Sequence, residues 1–163
     1  MSLLMSGCAV FFGQVQPIEQ PAKKSLEIPK LESPWEPLPP TEGGADVSYQ
    51  NRNNGSTLSF TSGCRPPTSL TPGGSQELER VASTLGGGIS RISSRKQSKR
   101  DFDGTPALDS IIEGKIEGKT LIIRSLVARR QDCVYDVTLV SLKRFFDSDS
   151  KAFETWTASI RLP

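Results

Sequence analysis

The sequence predicts an α+β protein in which helices pack on a central antiparallel sheet. Two observations lead to this class. The stretch 107–142 contains apolar and alternating runs separated by short polar breaks, which is the pattern of antiparallel strands. The residues that follow carry apolar side chains at helical spacing, and such a helix needs a sheet on which to bury its stripe. The other elements are therefore expected to assemble around 107–163.

The strands of this C-terminal stretch are predicted from β-branched residues and one glycine turn. Isoleucines precede Glu117-Gly118-Lys119, and a β-branched and aliphatic run follows over 120–127, so this part reads as a hairpin. The next strand is predicted over 133–142, where the alternation indicates that both faces are partly covered.

A helix is predicted to close the chain. Asp147 or Ser148 is expected to cap its first turn, because their side chains accept hydrogen bonds from free amides at a helix start. Its apolar stripe is expected at positions i, i+3, i+4 and i+7, namely Phe153, Trp156, Thr157 and Ile160.

The first half of the domain is predicted to contain a hairpin and a helix. Two short strands, 47–50 and 57–62, flank Asn54-Gly55, a pair that suits the positive φ angles of a tight turn. A helix is predicted over 75–85 and is stopped by the three glycines 86–88. These glycines follow a helix rather than precede one, which favours a helix stop over a phosphate-binding loop.

The predicted strand 89–102 is strongly basic. It holds five cations with no acidic residue among them: Arg91, Arg95, Lys96, Lys99 and Arg100. This pattern favours a solvated edge strand whose charges discourage pairing with other chains. The alternative interpretation is a surface that contacts phosphate groups. Asp101-Phe102-Asp103-Gly104 predicts a turn rather than a calcium loop, because the later oxygen ligands and the closing glutamate are missing.

Residues 1–44 differ in composition from the rest. Met5-Ser6-Gly7-Cys8 resembles a bacterial lipobox, so Cys8 is a candidate for lipidation within a truncated signal segment, 1–14; the alternative is an ordinary thiol. Residues 15–44 contain seven prolines and few large apolar residues, which predicts a disordered linker. Trp35 is interpreted either as docking onto the domain or as anchoring a partner. A single domain is predicted over 45–163.

The cysteines bear on the compartment. If Cys8 carries lipid, Cys64 and Cys133 remain as a pair, which suits one disulfide in an exported protein. Both lie at the ends of predicted strands, so neighbouring strand ends would bring them together. The alternative is two separate buried thiols in a cytosolic protein.

The composition argues against catalysis. The chain has no histidine, which removes the commonest general base, the commonest zinc ligand and every Ser-His or Cys-His arrangement. We therefore expect no enzyme activity, no metal and no cofactor; an enzyme hypothesis would use carboxylates such as Asp101, Asp103 or Asp136. The net charge of +2 is too small to indicate nucleic acid by itself. No apolar run approaches the about 20 residues that span a bilayer.

The element order and several short motifs resemble the PsbP-like superfamily. The motifs are Asp103-Gly104-Thr105-Pro106-Ala107, Glu117-Gly118-Lys119, Cys133-Val134-Tyr135-Asp136-Val137 and, in the last helix, Phe153, Trp156 and Ser159-Ile160-Arg161. The resemblance covers 45–163 and implies an α/β/α sandwich, a central antiparallel sheet with helices on both faces. The superfamily includes extrinsic photosystem proteins, a nuclear-import factor that binds a small GTPase and many uncharacterised bacterial lipoproteins, which this chain resembles most. No binding residue of the family maps onto this chain.

The expected function is that of a binding or assembly accessory. We expect an exported protein of the bacterial envelope, anchored to the membrane by lipid alone and bound to a protein partner that the sequence does not name. The alternative is a cytoplasmic protein that binds nucleic acid or an anionic ligand through 91–100, although nucleic acid is the less favoured partner.

Overall fold

Seven strands and one helix make up the described part of the molecule. The computed structural model describes residues 25–40, 44–64, 89 and 91–163. The strands are β1 Trp35–Pro37, β2 Val47–Asn51, β3 Thr57–Cys64, β4 Arg91–Phe102, β5 Thr105–Ile116, β6 Lys119–Arg130 and β7 Cys133–Leu142. A 3-10 turn, Lys143–Phe145, leads into helix α1, Phe146–Ser159. The predicted helix 75–85 and its glycine stop lie outside the described residues.

The strands form one antiparallel sheet in the order β1-β2-β3-β7-β6-β5-β4. Strand β7 is inserted between β3 and β6, so the C-terminal hairpins are joined to the first hairpin through the last strand. The predicted α+β class is confirmed.

Two hairpin turns that the sequence predicted have positive φ angles in the structure. Asp103 and Gly104, between β4 and β5, have φ of 50° and 74°. Glu117 and Gly118, between β5 and β6, have φ of 49° and 78°. Two-residue turns between twisted strands require this left-handed backbone, which glycine adopts without a steric penalty. The turns predicted at both places are confirmed.

Helix α1 covers one face of the sheet, which we call the helix face. Fully buried side chains of β3 and β7, including Phe60 and Leu139, share one core with the apolar side chains of the predicted stripe. All four stripe residues are buried, although Ile160 lies one residue beyond the end of α1. The Trp156 ring packs edge-on against Tyr49, with 5.6 Å between the ring centroids. Burial of these aromatic surfaces is the main force that holds α1 on the sheet.

The predicted cap of α1 is wrong. The residue at the N-cap is Phe145, and no side chain caps the helix; Ser148 Oγ instead donates to the Phe145 carbonyl at 2.8 Å. The 3-10 turn before α1 explains this, because the Phe146 amide already bonds the Lys143 carbonyl.

Residues 25–37, which we call the strap, pack on the domain. Glu27 and Arg161 exchange two backbone hydrogen bonds of 3.0 Å, and β1 pairs with β2. Trp35 is 7% exposed, so its docking interpretation is the correct one. The disordered linker predicted over 15–44 is therefore wrong for the strap, because its spaced apolar residues reach the core. Residues 15–24 and 41–43 lie outside the described residues.

Candidate functional site

Cys64 and Cys133 form a disulfide. Cys64 is the last residue of β3 and Cys133 the first of β7, and the antiparallel register makes them direct cross-strand partners. Their sulfurs are bonded at 2.00 Å. The predicted pair is confirmed, since the two strand ends do meet. Cys8, the lipidation candidate, lies outside the described residues.

The basic stretch lies on β4, the outermost strand on its side of the sheet in the described part of the chain. All residues from Arg91 to Lys99 are exposed, which confirms the edge-strand prediction. One of the five cations needs a correction. Arg100 is not without an acidic partner, because its guanidinium bonds Asp109 at 2.9 Å and Glu154 at 2.8 Å. Sequence spacing does not reveal this pairing, since Glu154 is 54 residues away.

Four charged side chains form an ion cluster between the helix face and α1: Arg100 of β4, Asp109 of β5, Arg124 of β6 and Glu154 of α1. Asp109 Oδ2 accepts hydrogen bonds from Arg124 at 2.6 Å and from Arg100 at 2.9 Å. Glu154 accepts from the same two arginines. Arg124 is 8% exposed, and its guanidinium lies 4.7 Å from the Phe153 ring centroid. The cluster therefore ties α1 to three strands.

The pKa values in the ion cluster follow from burial opposed by the arginines. Burial alone raises the pKa of Asp109, but hydrogen bonds from Arg124 and Arg100 together outweigh it, and the net pKa lies below the ordinary 3.8. Burial likewise raises the pKa of Glu154, and bonds from Arg100 and Arg124 bring it below 4.5. Both carboxylates are ionised at neutral pH and form ion pairs with the two arginines.

The three carboxylates of the enzyme hypothesis do not form one group. Asp101 and Asp103 lie at the β4–β5 turn, where Asp101 accepts from the Gly104 amide at 2.8 Å and Asp103 from the Leu162 amide at 2.8 Å. Asp136 lies in the middle of β7, on the face away from α1 by strand alternation. Burial raises its pKa above 3.8, although bonds from Ser125 and Thr138 partly oppose the rise.

A second buried carboxylate joins α1 to the β2–β3 turn. Asp149 is 2% exposed and accepts hydrogen bonds from Asn51 at 3.2 Å, from Asn54 at 3.0 Å and from Ser141 at 2.7 Å. These neutral donors replace the water that the carboxylate loses on burial. Sequence reasoning missed the group, since asparagines at 51–54 were interpreted only as turn residues.

A cleft of about 860 Å³ lies between the strap, the β2–β3 turn and α1. Trp35 and Trp156 contribute to its walls, and Lys30, Glu32 and Lys151 lie at exposed positions around it. Trp156 Nε1 is already bonded to the Pro29 carbonyl. The volume is within the range of small-molecule sites, but its charged side chains are of mixed sign and indicate no single ligand.

Two observations concern metals and membranes. Across residues 25–40, 44–64 and 91–163, no three His, Cys, Asp or Glu side chains gather as metal ligands do. No helix in the same part of the chain is long and apolar enough to cross a membrane.

Comparisons with solved structures identify the fold. The chain is similar to LpqN of Mycobacterium tuberculosis, a protein involved in cell envelope biogenesis, with 14% identity over 88% of this chain and 86% of that one and a TM-score of 0.56. It is also similar to the cyanobacterial PsbP, CyanoP, of Synechocystis, with 14% identity over 82% and 84% and a TM-score of 0.54. A Pseudomonas aeruginosa protein of unknown function matches at 15% identity over 88% and 87%, with a TM-score of 0.49. No family model and no curated protein matches the sequence.

The molecule is thus an α+β protein with one antiparallel sheet, a C-terminal helix packed on that sheet and a disulfide between two neighbouring strands. Within that class it has the PsbP-like fold, which confirms the resemblance drawn from element order and short motifs. At 14% identity the likeness extends to the fold alone.

Proposed function

We propose that this chain is a non-catalytic, exported accessory protein of the bacterial envelope that works by binding a protein partner. The observation that carries the proposal is the Cys64–Cys133 disulfide. Disulfides persist in oxidising compartments such as the periplasm and are rare in the reducing cytosol. LpqN, which has the same fold, supports the proposal through its involvement in envelope biogenesis.

The proposal includes a lipid anchor on Cys8. Because the strap packs on the domain, the chain between anchor and domain is the 16 residues 9–24 rather than a longer linker. Fully extended, such a segment reaches at most about 55 Å. The domain would therefore stay close to the membrane surface, within range of partners that are themselves membrane-bound.

Metabolic labelling tests the anchor. A bacterial host that expresses the chain with its natural leader is fed an alkyne-tagged fatty acid, and the native chain is compared with Cys8→Ala. The proposal predicts that the native chain is labelled and partitions with the membrane fraction, while Cys8→Ala is unlabelled. An unlabelled native chain in the soluble fraction contradicts it.

A second candidate function rests on the exposed cations of β4. Four of these cations make no ion pair with any described residue: Arg91, Arg95, Lys96 and Lys99. Exposed cations of this kind are expected in a cytosolic protein that binds nucleic acid or another polyanion. Four phosphate contacts to a single strand predict that log K falls with log salt with a slope of about −3. Binding that is unchanged when Arg95, Lys96 and Lys99 become glutamine contradicts this candidate.

A further inference from the structure

The two edges of the sheet are built differently. β1 has three residues and ends in Pro37, which has no amide hydrogen to offer a further strand. β4 has twelve residues and contains no proline. Natural proteins block sheet edges by keeping them short or by placing proline there, because an open edge pairs with other chains. Among the described residues, length and proline close the β1 edge, and no strand pairs with the outer edge of β4.

The residues of β4 are exposed along most of its length. Every residue from Arg91 to Lys99 is exposed, and Ile92, an apolar residue, is 45% exposed. The pairing with β5 is irregular between Ile92 and Ser94 and regular from there to Phe102. The regularly paired stretch from Ser94 to Arg100 is about 24 Å long, enough to pair with a segment of seven residues, and it is exposed as far as Lys99.

The charges along this edge select the kind of strand that fits. Arg95, Lys96 and Lys99 face isoleucine or leucine on β5, so the sheet itself supplies them with no acidic cross-strand neighbour. Cations at an edge repel a basic strand and make no favourable side-chain pair with a neutral one. Carboxylates placed opposite them would make favourable cross-strand pairs. The edge is therefore closed to most strands and open to an acidic one.

The cations alternate between the two faces of the sheet. Arg100 reaches α1, so strand alternation puts Lys96 on the helix face and puts Arg95 and Lys99 on the opposite face. A nucleic-acid backbone lying against one face would meet only part of this set. A strand added at the edge sends its own side chains to both faces and meets all three. This arrangement favours a polypeptide over a nucleic acid.

We propose that β4 is a docking strand for an extended acidic segment of a partner protein, which adds to the sheet beside β4. In the antiparallel orientation that the described strand pairs of this sheet adopt, the segment would carry acidic residues at spacing i, i+3 and i+4, to match Lys99, Lys96 and Arg95 in turn. Backbone hydrogen bonds would provide the pairing and the carboxylates the selection, as in other cases of strand addition. The inference rests on the proposed function only in assuming a protein partner, and it does not depend on the compartment.

A synthetic peptide tests the proposal on the whole oxidised chain. The probe is a fluorescent octapeptide, Thr-Val-Glu-Thr-Val-Glu-Glu-Thr, and its binding is followed by anisotropy. A second probe has the same sequence with alternate amides N-methylated, which keeps the charge and blocks strand pairing. We expect the first probe to bind and the second to bind at least about tenfold more weakly.

Charge reversal locates the site. The double variant Arg95→Glu with Lys99→Glu should weaken binding about tenfold or more, because favourable cross-strand pairs become repulsive. A matched control, Lys30→Glu with Lys151→Glu, makes the same change in net charge at the cleft and should leave binding unchanged. In amide-exchange NMR, alternate amides between Ser94 and Arg100, those directed away from β5, should become protected in the complex.

Three results would overturn the docking strand: equal binding of the methylated probe, no binding of either probe at about 1 mM, or tighter binding of a single-stranded oligonucleotide of equal charge. Each is distinct from failure of the proposed function, which is decided in cells by lipid labelling and by the thiol state. If the protein is exported but its β4 binds no peptide, the proposed function stands and the docking strand is ruled out.

Discussion

Trp156 Nε1 donates a 2.8 Å hydrogen bond to the carbonyl oxygen of Pro29, 127 residues earlier in the chain. This bond joins the last helix to the strap, on the same side of the sheet where Tyr49 packs against the Trp156 ring. The strap is thereby part of the folded unit, and its residues contribute to stability.

Replacement of Trp35 tests the strap. Trp35→Ala removes a buried indole and is expected to lower the free energy of unfolding by about 3–5 kcal/mol in urea titrations. Leu38→Ala, three residues later at a position that is 38% exposed, is the control and should change it by at most about 0.5 kcal/mol. Equal, small effects of both substitutions would mean that the strap does not pack on the domain in solution.

The disulfide is expected to stabilise the fold by constraining the unfolded chain. The two cysteines are 69 residues apart, and closing a loop of that size is worth about 4 kcal/mol. Reductant should lower the free energy of unfolding of the native chain by about this amount. The double variant Cys64→Ser with Cys133→Ser should begin at the lower value and be insensitive to reductant. A native chain that is equally stable with and without reductant would argue against the bond.

Acid should weaken the attachment of α1. The folded pKa values of Asp109 and Glu154 are depressed, so their contribution to stability is complete above the ordinary values of 3.8 and 4.5 and is lost as the pH falls through the folded values. We expect the free energy of unfolding to fall steeply below pH 4.5 and to fall less steeply in Asp109→Asn.

The same substitution is expected to lower the free energy of unfolding at neutral pH. Asp109→Asn leaves the buried Arg124 with weaker compensation, and a loss of about 3 kcal/mol is expected in urea titrations. Asp147→Asn, at an exposed position in the first turn of α1, is the control. It should change neither the free energy of unfolding at neutral pH nor the steepness with which that free energy falls in acid. If stability falls with acid as steeply in Asp109→Asn as in the native chain, the ion cluster is not the cause of the acid sensitivity.

Gly114 of β5 is expected to be required for the close approach of β4. A Cβ atom at this position would lie 2.7 Å from the Arg91 carbonyl oxygen, too close for a backbone atom that cannot rotate away. Gly114→Ala should therefore destabilise the protein by about 1–3 kcal/mol in thermal or urea unfolding. Gly63→Ala is the control, since its Cβ would meet nothing within 4 Å. Equal stability of the two variants would contradict the packing at the start of β4.

The parts of the fold that were predictable from sequence are those set by local chemistry. Asp103-Gly104 and Glu117-Gly118 specify turns through backbone conformation alone. The helical stripe that includes Trp156 follows from spacing within one helix. The disulfide was predictable because both cysteines stand at strand ends, where a small set of pairings is available.

The remainder depends on contacts that are distant in sequence. Composition described the strap by its prolines, and it left docking of Trp35 as one of two interpretations without indicating the hairpin beside which Trp35 is buried. The ion cluster joins residues of four separate elements, so Arg100 looked unpaired until β5 and α1 were placed beside it. Asp149 was missed for the same reason, because its donors come from 51–54 and 141.

The thiol state of the protein inside its native host tests the central claim most directly. Cells are quenched in acid, free thiols are blocked, and the protein is digested without reductant for mass spectrometry. An exported protein should yield peptides of Cys64 and Cys133 joined by a disulfide, with neither residue carrying the blocking group. Recovery of both cysteines as blocked, free thiols would contradict export and would favour the cytosolic anion-binding function.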